Sequence, residues 1–177
     1  MRRVLLALLL VVAVVAGGGV AAARSTPAVS VSGPVGVEGT EASSPFTVAD
    51  RTIRQVRYVD RGAVRVSFRL TNDGRLPFTI LGLAEDQPDP RLFDLAGLSR
   101  VELAPGETAP VTLTLTMNGC ESLSSRSGSF VGELSLRTTQ AGVFDDEVVV
   151  TLPEELHTGS PREASCPEAT ATSRPQG

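Results

Sequence analysis

Two cysteines, one histidine and a run of serines are the residues of this chain best suited to chemistry. Cys120 and Cys166 are the only thiols, His157 is the only imidazole, and Ser122, Ser124 and Ser125 fall in one short stretch. A hydrolytic triad needs a nucleophile, a base and an orienting carboxylate brought together. No nucleophile-elbow sequence surrounds the serines, and His157 stands four residues past Pro153 in an irregular tail, so no catalytic residue is assigned. Met117, Cys120, His157 and Cys166 make up a soft donor set of the kind copper takes. That set requires free thiols, and Met117 is in phase with Val111, Leu113 and Leu115, which reads as a core position. The cysteines are read instead as a Cys120–Cys166 disulfide, the simplest use of an even pair in an exported chain. The loop it closes has about 47 residues, worth on the order of 4 kcal/mol in the chain-entropy account.

The charged clusters read as solvated surface. Asp86 and Asp89 are separated by prolines, and Asp145-Asp146-Glu147 opens a strand, which sends successive side chains to opposite faces. Calcium needs six to eight oxygens on one loop, so no metal site and no cofactor is expected. Arg51, Arg54, Arg57, Arg61, Arg65 and Arg69 recur every three or four residues. A hairpin turning at Asp60-Arg61-Gly62 would pair Val56 with Val66, Arg57 with Arg65 and Tyr58 with Val64. Arg57, Arg65 and Arg69 would then share one wet face, the candidate interaction face, with a carboxylate such as Glu133 between the opposed arginines. In that register Ile53 has the wrong parity, which predicts a bulge near Arg54-Gln55.

The elements that position these residues show period two. Val64 to Thr71 alternates without error, as does Val111 to Met117, and Phe130, Gly132, Leu134 and Leu136 alternate with Val131, Glu133, Ser135 and Arg137. Each reads as a strand with one buried and one wet face. Val64, Val66, Phe68, Leu70, Val111, Leu113, Leu115, Leu134 and Leu136 are the expected core. Shorter strands fit 78–81 and 144–152, with turns at Asn72-Asp73-Gly74 and Ala104-Pro105-Gly106. The reading is an all-β, antiparallel, immunoglobulin-like sandwich of about seven strands over 46–152, preceded by an N-terminal apolar helix. Residues 24–45 read as a flexible linker, and 153–177 as an irregular tail tethered through Cys166.

Residues 1–23 fix the expected compartment. Met1-Arg2-Arg3 leads into the apolar stretch Val4 to Ala16, three glycines and Ala21-Ala22-Ala23. This is the order of a secretory signal peptide cleaved near Arg24. Uncleaved, 4–23 is long enough to anchor the chain in a bilayer, at about 1.5 Å per residue. Either way the remainder is expected outside the cytoplasm, secreted or held on the outer face of the membrane. All 16 basic residues are arginine, and without Arg2 and Arg3 there are 14 against 20 acidic residues. That balance argues against nucleic acid and against an anionic membrane surface, leaving contact with a membrane to 4–23 alone.

Two resemblances add to this. Val66-Ser67-Phe68-Arg69-Leu70-Thr71-Asn72-Asp73-Gly74, Pro77-Phe78-Thr79-Ile80 and Leu103-Ala104-Pro105-Gly106-Glu107 resemble bacterial immunoglobulin-like cell-surface modules, with the cell-adhesion-related domains nearest. In those modules a strand ends in Asn-x-Gly and a Leu-x-Pro-Gly-Glu turn opens a later one; the likeness covers about 64–117 and implies fold more than function. The whole chain also resembles small exported proteins of high-GC Gram-positive bacteria, with a similar Gly-Cys-Glu-Ser-Leu segment and a Cys-containing, Pro-rich tail, a family that implies no activity. The expected function is therefore a non-catalytic structural or protein-interaction module of the cell envelope, whose partner is another envelope protein or a wall component. The alternative is a binding domain for an anionic or carbohydrate ligand on the arginine face. An exported copper-binding protein ranks below both, and an enzyme ranks last.

Overall fold

The computed structural model describes residues 27–40, 42–57, 62–87, 94–116 and 129–158. Ten strands run through them: β1 (Val29–Glu38), β2 (Ala42–Val48), β3 (Arg51–Arg57), β4 (Ala63–Asn72), β5 (Phe78–Leu83), β6 (Asp94–Leu98), β7 (Val101–Leu103), β8 (Thr108–Thr116), β9 (Ser129–Gln140) and β10 (Phe144–Thr158). They form a four-stranded sheet in the order β1-β4-β8-β6 and a six-stranded sheet in the order β2-β3-β10-β9-β5-β7. Ten strands replace the expected seven or so. Two of the additional ones lie where turn-type residues hid them, since β1 and most of β2 fall in the stretch expected to be linker; β10, expected over 144–152, continues to Thr158 through residues assigned to the tail. Val29, Val31, Val35 and Val37 of β1 are spaced across a bulge so that all four pack against the core. That bulge, between Ser32 and Gly36, adds two residues to β1 and so keeps the valines in phase; Gly33, Pro34 and Gly36 among them give the segment its linker-like composition.

The alternating segments behave as their pattern requires. β4 and β8 pair antiparallel, Val64 with Leu115, Val66 with Leu113 and Phe68 with Val111. All nine expected core residues, Val64, Val66, Phe68, Leu70, Val111, Leu113, Leu115, Leu134 and Leu136, are buried. Phe78, Ile80 and Leu103 on the six-stranded sheet complete the centre of the core.

The two expected turns are built as designed pieces. Asn72, itself buried, donates from Nδ2 to the carbonyls of Leu76 (2.9 Å) and Leu103 (3.0 Å) and accepts from the Gly74 amide at Oδ1 (2.9 Å). Its backbone amide donates to Glu107 O and its carbonyl accepts from Gly106, at 2.9 and 2.8 Å. Thus one side chain joins the end of β4 to the β7–β8 turn. In that turn Glu107 accepts the Ala104 amide at Oε2 (2.8 Å), and Gly106 takes a φ of 75°.

Three further expectations are corrected. The sandwich is not wholly antiparallel: β3 and β10 pair in parallel, Ile53 against Glu155 and Val56 against Thr158. β3 shows no bulge at Arg54-Gln55, since its pairing with β2 runs without a register shift from Arg51 to Arg57. Ile53 and Val56 instead face opposite sides, and both are buried. Finally, the alternation in β9 slips. Val131 is buried and Phe130 is exposed, the reverse of the expected parity, because β10 carries extra residues between Thr151 and Leu156 where it pairs with β9. The N-terminal segment 1–23, Met117, Cys120, Cys166 and the proposed disulfide lie outside the described residues. No helix among the described residues is long and apolar enough to cross a membrane.

Candidate functional site

The outer face of the six-stranded sheet carries the most distinctive chemistry. Backbone register sets it up. Phe46 and Val48 of β2 stand opposite Ile53 and Arg51 of β3, Ile53 stands beside Glu155 of β10, and His157 stands opposite Phe130 of β9. Leu156 and Val56, of the other parity, enter the core, which leaves these residues on the outside. Arg51 donates to both carboxylate oxygens of Glu155 from Nε and Nη2. His157 Nε2 lies 3.2 Å from Glu155 Oε2, and the His157 ring rests on Phe130 with centroids 5.6 Å apart. Gly132 lies beneath: a Cβ there would stand 3.4 Å from Glu155 Cγ. A single carboxylate is thus held between a fork of guanidinium donors and an imidazole, walled by aromatic and aliphatic groups.

The electrostatics follow from that geometry. The Arg51 hydrogen bond holds the Glu155 carboxyl below the ordinary glutamate range; partial burial opposes the shift, and the His157 contact adds to it. Arg51 is raised in turn, chiefly by its hydrogen bond to Glu155. A bidentate arginine–carboxylate pair fixes orientation as well as charge. Here it fastens the last residues of β10 alongside β3.

A second pair lies three residues further along β3 and one residue back along β10. Arg54 donates from Nε and Nη2 to Glu154, the latter at 3.2 Å, and from Nη1 to Ser43 Oγ at 3.0 Å. Both side chains keep little exposure, 13% and 17%. Ser43 gives the guanidinium a third acceptor, so a pair taken largely out of water is well satisfied. Arg51, Arg54, Glu154 and Glu155 went unrecognised as partners because the charges that match lie 100 to 104 residues apart. Complementary runs of arginine and glutamate were visible, but nothing local specifies a parallel pairing between them.

The arginine face is redistributed. Arg57 lies in β3 of the six-stranded sheet, while Arg65 and Arg69 lie in β4 of the four-stranded one. The expected β3–β4 hairpin is not made, because β4 pairs with β1 and β8 on its two sides and β3 with β2 and β10. Arg65 stands opposite Thr114 and Glu38 rather than Arg57, so the like-charge pair and the need for Glu133 to relieve it both disappear. Glu133 itself is in β9, opposite Thr151. His157, expected in a solvated tail, is a strand residue in contact with Glu155 and Phe130. Gln87, in the first acidic cluster, serves as a clamp: Nε2 donates to Ala84 O and Ser135 O at 2.8 Å each, and Oε1 accepts the Ser135 amide at 3.0 Å. Among the described residues no three His, Cys, Asp or Glu side chains are grouped to hold a metal ion.

The sequence matches no protein-family model and no curated protein. Among solved structures it is similar to the cupredoxin domain of amoB from Nitrosocaldus yellowstonii, at 14% identity and a TM-score of 0.27. The match covers 65% of each chain, just under two thirds of that domain's length. A likeness that slight carries no argument about ligand or activity, and the β-sandwich rests on the strand pairing described above.

Proposed function

We propose that this chain is a non-catalytic, immunoglobulin-like module of the cell envelope that docks another envelope protein through the outer face of its six-stranded sheet. One observation carries the reading. Among the described residues five large hydrophobic side chains are exposed, and four of them, Phe46 (45%), Val48 (53%), Phe130 (46%) and Val149 (58%), belong to strands of that sheet and face outward. Exposed apolar groups collected on one face mark interaction surfaces, whereas scattered ones do not. The Arg51–Glu155–His157 cluster supplies polar groups among them, already paired with one another and thus cheap to cover. Export through 1–23, by cleavage or as an uncleaved anchor, places this face outside the cytoplasm, where a wall component or a second protein is within reach. The Cys120–Cys166 bridge would tether the chain beyond β10.

A photo-reactive residue at position 46, introduced into the full chain in intact cells, is the test. Cross-linking to one envelope protein from position 46, with none from position 65 on the opposite sheet, supports the reading. Equal capture from both positions, or a full-length product confined to the cytosol, overturns it.

A further inference from the structure

The opposite face of the molecule has a different character. The outward positions of β4 are Arg65, Ser67, Arg69 and Thr71, and those of β8 are Thr108, Pro110, Thr112, Thr114 and Thr116. On β1, Ser30 stands opposite Thr71, Ser32 opposite Arg69, and Glu38 opposite Arg65. Apart from Pro110 no apolar side chain larger than alanine faces outward along β4 and β8. Hydroxyls touch across the ladder, Ser67 to Thr112 at 3.2 Å and Thr71 to Thr108 at 2.8 Å. Arg65 and Arg69 rise from this low, hydroxyl-covered plane on either side of Ser67. No described carboxylate forms an ion pair with either, Glu38 included. Four residues along a strand set their Cα atoms about 13 Å apart.

We propose that this face binds an acidic polysaccharide, lying along β4 with its anionic groups at Arg65 and Arg69 and its hydroxyls on the Ser and Thr rows. This goes beyond the protein-docking role, since it uses the other sheet and other residues. Charge complementarity chooses the occupant. Among the described residues Arg65 and Arg69 are two cations without an ion pair on the outward face of one strand, and a guanidinium fork binds carboxylate or phosphate oxygens in pairs. The absence of an apolar anchor leaves nothing for an acyl chain or the hydrophobic side of a peptide to cover. Short hydroxyls that can donate or accept suit a ligand that is itself hydroxyl-rich.

The probes are polygalacturonate, a carboxylated glycan; dextran, a neutral one; and polyglutamate, a carboxylated chain without sugar hydroxyls. Titration calorimetry on the full chain is expected to show binding of polygalacturonate, none of dextran, and polyglutamate binding at least tenfold weaker. The R65S/R69S double variant should lose tenfold or more in affinity for polygalacturonate. Thr114→Val, which keeps the shape and removes one hydroxyl, should lose a smaller factor, and Arg57→Ser none. Binding undiminished in the double variant overturns the site. Polyglutamate binding as well as polygalacturonate overturns the glycan, and no binding of polygalacturonate overturns both. These readouts are independent of cross-linking at position 46.

Discussion

Arg51 and Glu155 are 104 residues apart in sequence and form a bidentate pair across the parallel β3–β10 ladder. Arg51 is more than half exposed, whereas the carboxylate is largely covered, so the pair works as a clasp with its outer half in water. The folded state favours ionised Glu155, whose carboxyl is held below its ordinary value by Arg51 first and His157 after.

That shift sets a pH dependence. A carboxyl depressed in the folded state contributes stability that is complete above its unfolded value, about 4.3, and is lost as pH falls through the folded value. Glu155→Gln removes this contribution. Urea denaturation of parent and variant should therefore give a difference that is constant at neutral pH and shrinks as pH drops below about 4. A gap between the two proteins that stays unchanged down to pH 3 would contradict the account.

Asn72 makes a sharper case because its partners are buried. Asn72→Asp keeps the acceptor for the Gly74 amide but replaces the donor to Leu76 O and Leu103 O with a second carboxylate oxygen. Two carbonyls lose their donor and face a charge, which should cost about 3 kcal/mol or more at neutral pH. Asn72→Ala should cost about 2–4 kcal/mol. Chemical denaturation monitored by circular dichroism measures both, and the Asp variant should recover part of its loss in acid.

Phe68 lies at the centre of the core, 2% exposed. Phe68→Ala should destabilise by roughly 3–5 kcal/mol. The same substitution at exposed Phe46 should cost under about 1 kcal/mol, so the two together separate the packed face from the exposed outer face.

Gly39 ends β1 in the left-handed region, φ 76°, and a Cβ there would stand 2.2 Å from the Ala63 carbonyl oxygen. Gly39→Ala therefore meets both an unfavourable backbone region and a fixed backbone atom. A loss of about 2 kcal/mol or more is expected, read as a lower thermal midpoint. Gly106→Ala, where nothing lies within 4 Å, should cost less.

The strands legible in the sequence were those with one buried and one wet face. β4 and β8 announced themselves because Val64 to Leu70 and Val111 to Leu115 keep strict alternation, and the turns at Asn72 and Gly106 used residues their backbones require. β1 was illegible because Gly33, Pro34 and Gly36 interrupt it with turn-type residues, although its four core-packed valines keep one parity across the bulge. β9 misled at Phe130 because its slip depends on extra residues in β10. The candidate site was harder still. Asp60-Arg61-Gly62 pointed to a hairpin between neighbours in sequence, but β3 and β4 lie in different sheets. The pairing that assembles Arg51, Glu155 and His157 is a long-range, parallel one with no local signature.

That pairing also governs the order in which the molecule can close. β2 and β3 can zip into a hairpin as soon as they are made, but the far edge of β3 must wait for a strand about a hundred residues downstream. Contacts of such sequence separation slow folding, because loop closure is costly before any of them forms. Until then a row of β3 backbone groups stands open to pairing with other chains. Pro45, which has no amide hydrogen to give, interrupts the other edge of the same hairpin at β2. Until Glu155 arrives the hairpin stays half open, and Arg51 and Arg54 on its edge give the incoming Glu154-Glu155 pair a register to find.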